Sequence, residues 1–314
     1  MKTVNAGFEI LSDGGIFNVC EDIELAGRTC TKSEDKITFD SGKKFVEKLI
    51  ASGHESVLEH KTIILKIGFW VWLRILLHNP KFLNLTCCNM RFIVSGNIRA
   101  LRDFGKTHRF FAGFLSYLAT YIPVVFDDFT PVKIRKFQLL FENDLICEEE
   151  KLKHHTVSVR IICDRGVSHE IVRHRIASYS QESTRYCNYG KAGEVTFIKP
   201  VFFVPGTLSY KVWEQLCVKA EETYLFLLKD GASPQQARSV LPNSLKTEIV
   251  VTTNLQQWRH FFELRAIGIF GKPHPQMLEI SIPMFKNFIQ LYPDIFGYEY
   301  ETRLLNHARK IFSL

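Results

Sequence analysis

Between Arg173 and Tyr186 the chain gathers three arginines, a histidine and four Ser or Thr hydroxyls, arranged as Arg173-His174-Arg175, seven residues, then Ser183-Thr184-Arg185-Tyr186. A guanidinium is a planar fork of donors that matches phosphate and imide oxygens. Serine and threonine hydroxyls, with free backbone N–H groups, complete a phosphate cradle. Taken alone, Arg-His-Arg reads first as a solvated basic surface loop, since short basic runs are common surface features. Three further segments carry side chains of this kind: Gly53 to His60 (GHESVLEH), Ala237 to Pro242 (ARSVLP) and Asn254 to Arg265. If the last is a helix, Gln256 and His260 share one face by their four-residue spacing, away from Phe261 and Arg265.

Several chemistries lack their residues. No G-x-G-x-x-G follows a strand and no G-x-x-x-x-G-K-[ST] occurs, so neither a Rossmann site nor a P-loop accounts for nucleotide binding. The eight cysteines form no C-x-x-C pair and have no histidine tract beside them, so no zinc or other metal is expected. None of the eleven prolines precedes a cysteine, which removes a Pro-Cys nucleophile. Cys187, close to the arginine run, reads as a small buried residue.

The four segments, in this order, resemble the signature blocks of the flavin-dependent thymidylate synthases: an R-H-R followed after seven residues by Ser, an upstream G-H-x-S-x-x-E-H, and two downstream blocks. The resemblance covers residues 20 to 67 and 156 to 290. It implies reductive methylation of deoxyuridine monophosphate (dUMP) with FAD, NADPH and 5,10-methylenetetrahydrofolate, without a cysteine attacking the ring. Carried over position by position, it implies that Glu170, Arg173, Gln181, Glu182, Ser183, Thr184, Arg185, Arg238 and Arg265 meet dUMP. Among these, Ser183 to Arg185 fall on the phosphate, and Arg265 is the catalytic arginine that contacts the uracil and favours loss of its N3 proton. His54, Ser56, Arg173, His174, Arg175, Gln181, Asn254, Gln256 and His260 fall where the family holds FAD. Two positions depart from the pattern: Glu170 stands where glutamine is usual, and Gln181 where an acid is usual. An anionic Glu170 against a uracil carbonyl would be repulsive unless protonated or turned to the N3–H. The family also implies a homotetramer whose active sites are shared between subunits.

The elements that must position these residues are those of an α+β protein. With 314 residues, 46% of them hydrophobic, the chain can bury a sizeable core. No Pro/Gly/Ser linker or repeat divides it, so residues 1–314 are read as a single domain, a central twisted sheet flanked by helices in the ThyX manner. Strands are expected at Lys61 to Ile67, Thr156 to Cys163 and Thr247 to Thr253, and helices at Phe45 to Ser52, His169 to Arg175 (capped by Ser168), Pro205 to Lys229, after Ser233, after Asn254 and from about Pro275. On the long helix Val212, Leu216, Ala220, Tyr224 and Leu227 are expected to face inward. About ninety residues separate the first two strands, too many for a loop, so a mostly helical insertion is expected at about 68–153.

A formal charge of +7 favours phosphorylated partners without naming one. It leaves open a nucleic-acid-binding module that uses the basic loop on backbone phosphates. Acidic residues are interspersed throughout and no basic stripe appears, so nucleic acid is not the expected partner. Phe110 to Phe126 is uncharged, but it holds Ser116, Thr120, two tyrosines and Pro123, and a buried helix rather than a membrane span is expected. The amino-terminal residues show no secretory signal, and with free cysteines the expected location is cytoplasmic.

Overall fold

The computed structural model describes residues 1–12, 19–130, 137–191, 193–297, 300 and 302. Strand β1 (Lys2–Val4) and strand β2 (Gly7–Ser12) open the chain, and helices α1 (Val19–Thr29) and α2 (Ser41–Ala51) follow as a packed pair. Their close approach depends on Gly27, where an added Cβ would lie 2.7 Å from the Phe45 ring. A 3₁₀ turn, Glu55–His60, then delivers β3 (Thr62–Ile67).

The region expected to be an insertion, about 68–153, follows β3. It holds α3 (Phe69–His78), the strands β4 (Leu83–Cys88) and β5 (Arg91–Asn97), α4 (Ile98–Thr107), α5 (Arg109–Ala119), β6 (Gln138–Leu140) and α6 (Glu148–His154). Helices predominate, as expected, but a β-hairpin that periodicity did not indicate sits among them. It recruits β3, so that β4-β5-β3-β6 form a four-stranded antiparallel sheet. The Phe110 to Phe126 stretch lies in this region as α5 and the turns after it, with Phe111, Phe114, Leu118, Val125 and Phe126 in a core shared with α1 and α2. Among the described residues no helix is long and apolar enough to cross a membrane.

Strand β7 (Thr156–Asp164) starts the second half, followed by α7 (Arg165–Ile171), β8 (Ser178–Gln181), β9 (Thr196–Ile198), α8 (Leu208–Lys229), α9 (Pro234–Ala237), β10 (Lys246–Asn254), α10 (Leu255–Phe262), α11 (Pro275–Leu291) and α12 (Pro293–Phe296). The order β2-β7-β10-β8, antiparallel throughout, makes a second four-stranded sheet, and β1 pairs with β9 beside it. The β-branched runs of β7 and β10 pair over their whole lengths, from Lys246 opposite Asp164 to Asn254 opposite Thr156. Against them pack Trp258, Phe261 and Phe262 of α10 and Met277, Met284 and Phe288 of α11, forming a separate core.

Two expectations need correction. The helix after β7 is capped by Asp164, whose carboxylate accepts the Val167 N–H at 2.7 Å, and not by Ser168, whose hydroxyl donates to the Arg165 carbonyl at 2.8 Å. The helix ends at Ile171, and Arg173-His174-Arg175 lies beyond it, with the Arg173 and His174 N–H groups donating to the Glu170 and Ile171 carbonyls in the turns that follow. On α8 the inward face carries Trp213, Cys217, Ala220 and Tyr224, whereas Val212 and Leu216 are exposed. The two stripes agree at Ala220 and Tyr224 and differ by one residue, about 100° around a helix, over the first turns.

Candidate active site

Arg265 is delivered by an unusual turn. Asn254 caps α10 by accepting the Gln257 N–H at 3.0 Å, and the helix then widens at Glu263–Ile267 into π-helical geometry that ends on Gly268 at φ +75°. Such widened turns frequently occur at functional sites because they re-aim side chains that a regular helix would stack. The Ser281 hydroxyl anchors the turn by donating to the Arg265 carbonyl at 2.6 Å. The guanidinium donates to Glu170 Oε2 at 2.7 Å, to the Glu170 carbonyl at 3.2 Å and, through Nε, to His174 Nε2 at 3.2 Å. The departure at Glu170 thus has a local partner: its carboxylate pairs with the arginine that the resemblance assigns to the uracil.

His174 is held from both sides. Its carbonyl accepts the Tyr179 hydroxyl, and its ring lies 4.9 Å from Phe261 and 5.9 Å from His260. Burial, and then the Arg265 and His260 charges, push its pKa down to about 4, so the imidazole is neutral near pH 7. A neutral ring with Nε2 accepting from Arg265 carries its proton on Nδ1. His174 therefore orients Arg265 without adding a second positive charge.

A second group forms around the signature serine. The Ser183 N–H donates to the Cys30 carbonyl at the end of α1 at 2.9 Å, Ser183 Oγ accepts the Arg185 N–H at 3.3 Å, and Arg238 donates to Thr184 Oγ1 at 3.0 Å. Arg185 is exposed, its guanidinium carbon 5.4 Å from the Tyr186 ring centroid, within reach of a cation–π contact. These N–H groups are committed within the protein, and the two hydroxyls and two guanidinium groups are the parts of an oxyanion cradle.

The neighbouring Gln181 and Glu182 are turned elsewhere. Gln181 donates to Ser168 Oγ at 2.9 Å and to Thr247 Oγ1 at 3.2 Å. Glu182 is buried, accepts from Tyr189 at 2.8 Å and lies 3.2 Å from Lys246 and 3.9 Å from Lys32. Both lysines also pair with Glu248. Burial alone would raise the Glu248 pKa, but the two lysines outweigh it and hold it low. This network braces the sheet beneath the cradle, and nothing in the sequence spacing links Lys32 to Lys246.

The residues expected at FAD are more scattered. Arg175 and Asn254 line a cavity of about 430 Å³ with Glu59, Ser178 and Thr252, and its other side is formed by β4, β5 and the start of α4. Asn254 is buried, and besides its cap it donates to the Lys153 carbonyl at 3.0 Å. His54, Ser56, Gln256 and Arg173 are exposed and do not line this cavity. His260 lies at the other group, 3.8 Å from Glu263. Residue reasoning missed Glu59, which pairs with Arg99 of α4 at 2.7 Å, and His60, which is buried against Thr252 at 2.8 Å and pushed down to about 4 by burial.

The cysteines show no activated nucleophile among those with a resolved shift: burial pushes the Cys187 thiol up to about 11 and Cys163 higher still. Cys88, Cys147 and Glu150 do converge, but the Glu150 carboxylate is committed to Arg91 at 3.1 Å and to the Ile146 N–H at 2.9 Å.

Residues 148–294 match the family model described as thymidylate synthase complementing protein. Among curated relatives, flavin-dependent thymidylate synthases are 38% identical over 120 residues in Thermococcus onnurineus (38% of this chain, 49% of that one) and 43% over 108 residues in Geobacter sulfurreducens (32% and 43%). The relative from Sulfurisphaera tokodaii is 33% identical over 152 residues, 46% of this chain and 53% of its own. The chain thus spans about half the length of the curated relatives it matches. A solved structure, the UMP/dUMP methylase PolB from Streptomyces cacaoi bound with 5-Br dUMP, aligns over 96% of this chain and 97% of its own at 15% identity and a TM-score of 0.44.

Proposed function

We propose that this chain, whose residues 148–294 match the thymidylate synthase complementing protein model, is a flavin-dependent thymidylate synthase that reductively methylates dUMP to dTMP. Its co-substrates in this reading are 5,10-methylenetetrahydrofolate and NADPH, and its cofactor is FAD. The observation that carries the reading is the Glu170–Arg265–His174 group, a guanidinium fixed by a carboxylate and a neutral imidazole at the end of a widened helical turn. FAD supplies the hydride, which no side chain can provide.

The chain's own residues bind and polarise. Arg185, Arg238, Ser183 and Thr184 hold the nucleotide phosphate. Arg265 faces the pyrimidine, where its positive charge stabilises the N3-deprotonated ring. Glu170 has two acceptor oxygens, so it can hold Arg265 through one and take the N3–H through the other, which removes the repulsion expected of a carboxylate beside a uracil carbonyl. Arg173, Arg175, His54, Ser56, Gln256 and His260 are the groups proposed to meet FAD. Arg173 and Arg175 make no ion pair among the described residues and so are available to its phosphates. A cytoplasmic homotetramer fits the exposed apolar residues Leu208, Val212, Leu216 and Phe226 along α8, a stripe suited to a subunit interface.

The test is flavin content and binding. Protein purified and supplied with FAD should retain about one FAD per chain and show its absorbance. A folded protein that stays colourless and binds no added FAD would sink the reading.

A further inference from the structure

We propose that the insertion closes a diphosphate site in cis: its β4–β5 hairpin and the start of α4 form the second wall of the 430 Å³ cavity, and the ligand is the diphosphate with one flanking ring of a dinucleotide. On the reading given above, that dinucleotide is FAD, and the inference rests on it.

The cavity lies between two walls of different origin. Arg175, Ser178 and the end of β10 form one, and Lys81, Phe82, Asn97 and Arg99 form the other. Glu59 fastens them together, pairing with Arg99 at 2.7 Å and accepting from Ser178 at 3.4 Å. The volume is within the ~300–1,000 Å³ of small-molecule sites, room for part of a dinucleotide rather than all of it.

Charge selects the ligand. Arg99 is spent on Glu59 and on Asp103 at 3.9 Å. That leaves Lys81 and Arg175, on opposite walls, with no ion pair among the described residues. The charged side chains lining the cavity are Lys81, Arg99 and Arg175 against Glu59 and Asp103, a net positive charge that favours an anionic ligand reaching both Lys81 and Arg175. The ten-residue α4 begins at this wall, capped by Asn97, which adds the positive end of a helix dipole. Phe82, 73% exposed at the same wall, offers a flat apolar face on which a heterocycle can stack. An insertion present only for packing would bury that ring.

The experiment is titration of FAD-stripped protein with FAD, ADP and FMN, followed by flavin fluorescence and by competition for ADP. The exposed substitutions Lys81→Glu and Phe82→Ala are compared with Lys219→Glu on α8 as a control far from the cavity. Lys81→Glu should weaken FAD and ADP by at least about tenfold, because it reverses a charge at the diphosphate. Phe82→Ala should weaken both less, and Lys219→Glu neither. Melting curves like that of the parent establish that the variants fold. If FAD binds the parent and both cavity variants alike, the inference fails and the flavin reading stands. If the parent binds ADP but not FAD, the diphosphate cavity stands and the flavin reading fails. Binding of neither overturns both.

Discussion

The two four-stranded sheets are alike in size and antiparallel pairing, yet their strands end differently. In the sheet of β7, β10 and β8, each strand runs out into charged or hydrogen-bonding side chains. β7 leads through Asp164 to Glu170, β8 to Ser183 and Arg185, and β10 through Asn254 to Arg265. In the sheet of β3, β4 and β5 only β5 does so, through Asn97 into Arg99 at the cavity, while β3 leads into the apolar α3 and several of the polar groups buried there pair with one another. His154, for example, bonds Ser95 at 2.7 Å and Thr86 at 2.8 Å. The first sheet is a platform that aims side chains at one end, and the second is a wall that meets it at the cavity.

Deleting a ring from either core tests whether platform and wall are one body, and carries the largest expected effect. Trp258 and Phe114 are almost fully buried, and Trp258 also donates to the Val157 carbonyl at 3.2 Å. Trp258→Ala and Phe114→Ala should each cost about 3–5 kcal/mol and shift a single denaturation transition. Two transitions, with each variant moving only one, would divide the sheets into independent units.

Acid comes next, and it acts on both sheets. His60 joins the platform, His154 belongs to the wall, and burial lowers their pKa values from 6.5 to about 4 and about 3. The unfolded chain therefore binds these protons first. Stability is whole above pH 6.5 and falls as the pH drops from there toward 4, by up to about 1.4 kcal/mol per pH unit for each histidine. Urea denaturation at a series of pH values measures the slope. His154→Gln should flatten it, and a slope unchanged in that variant would remove the wall's share.

Smaller changes are expected at the aimed side chains. Arg265→Ala should keep FAD and lose at least about tenfold in methylation, since a charge-assisted hydrogen bond contributes about 1.5–3 kcal/mol. Arg185→Ala should instead weaken dUMP through its phosphate, so the two variants separate when dUMP and deoxyuridine are compared as ligands. Equal losses for both ligands in both variants would erase the distinction between the Arg265 group and the cradle. The smallest effect is at the start of α7, where Asp164→Ala should cost about 1 kcal/mol as a lost cap, read as a shift in the denaturation midpoint. No shift would mean that α7, which carries Glu170, is held by packing alone.

The platform was largely legible in the sequence. β-branched runs mark β7 and β10, and Asn254 caps α10 as its type and position indicate. The start of α7 was not, because Asp164-Arg165-Gly166 carries turn residues that serve equally as a cap and a first helical turn. The hairpin of the wall was hidden for a related reason. It turns at Asn89 and Met90, with φ of 48° and 61°, and methionine gives no signal for a left-handed position that asparagine-glycine would announce. The widened turn at Glu263–Ile267 and the union of Lys32 with Glu182, Lys246 and Glu248 depend on contacts remote in sequence, which local pattern does not encode.

The most direct measurement is turnover of dUMP by the FAD-loaded protein with NADPH and 5,10-methylenetetrahydrofolate, with product nucleotides separated chromatographically. The account predicts dTMP, formed only when FAD and both co-substrates are present and cut at least about tenfold by Arg265→Ala. Folded, FAD-bound protein that binds dUMP and yields no dTMP, or an Arg265→Ala variant that turns over at the parent rate, would contradict it.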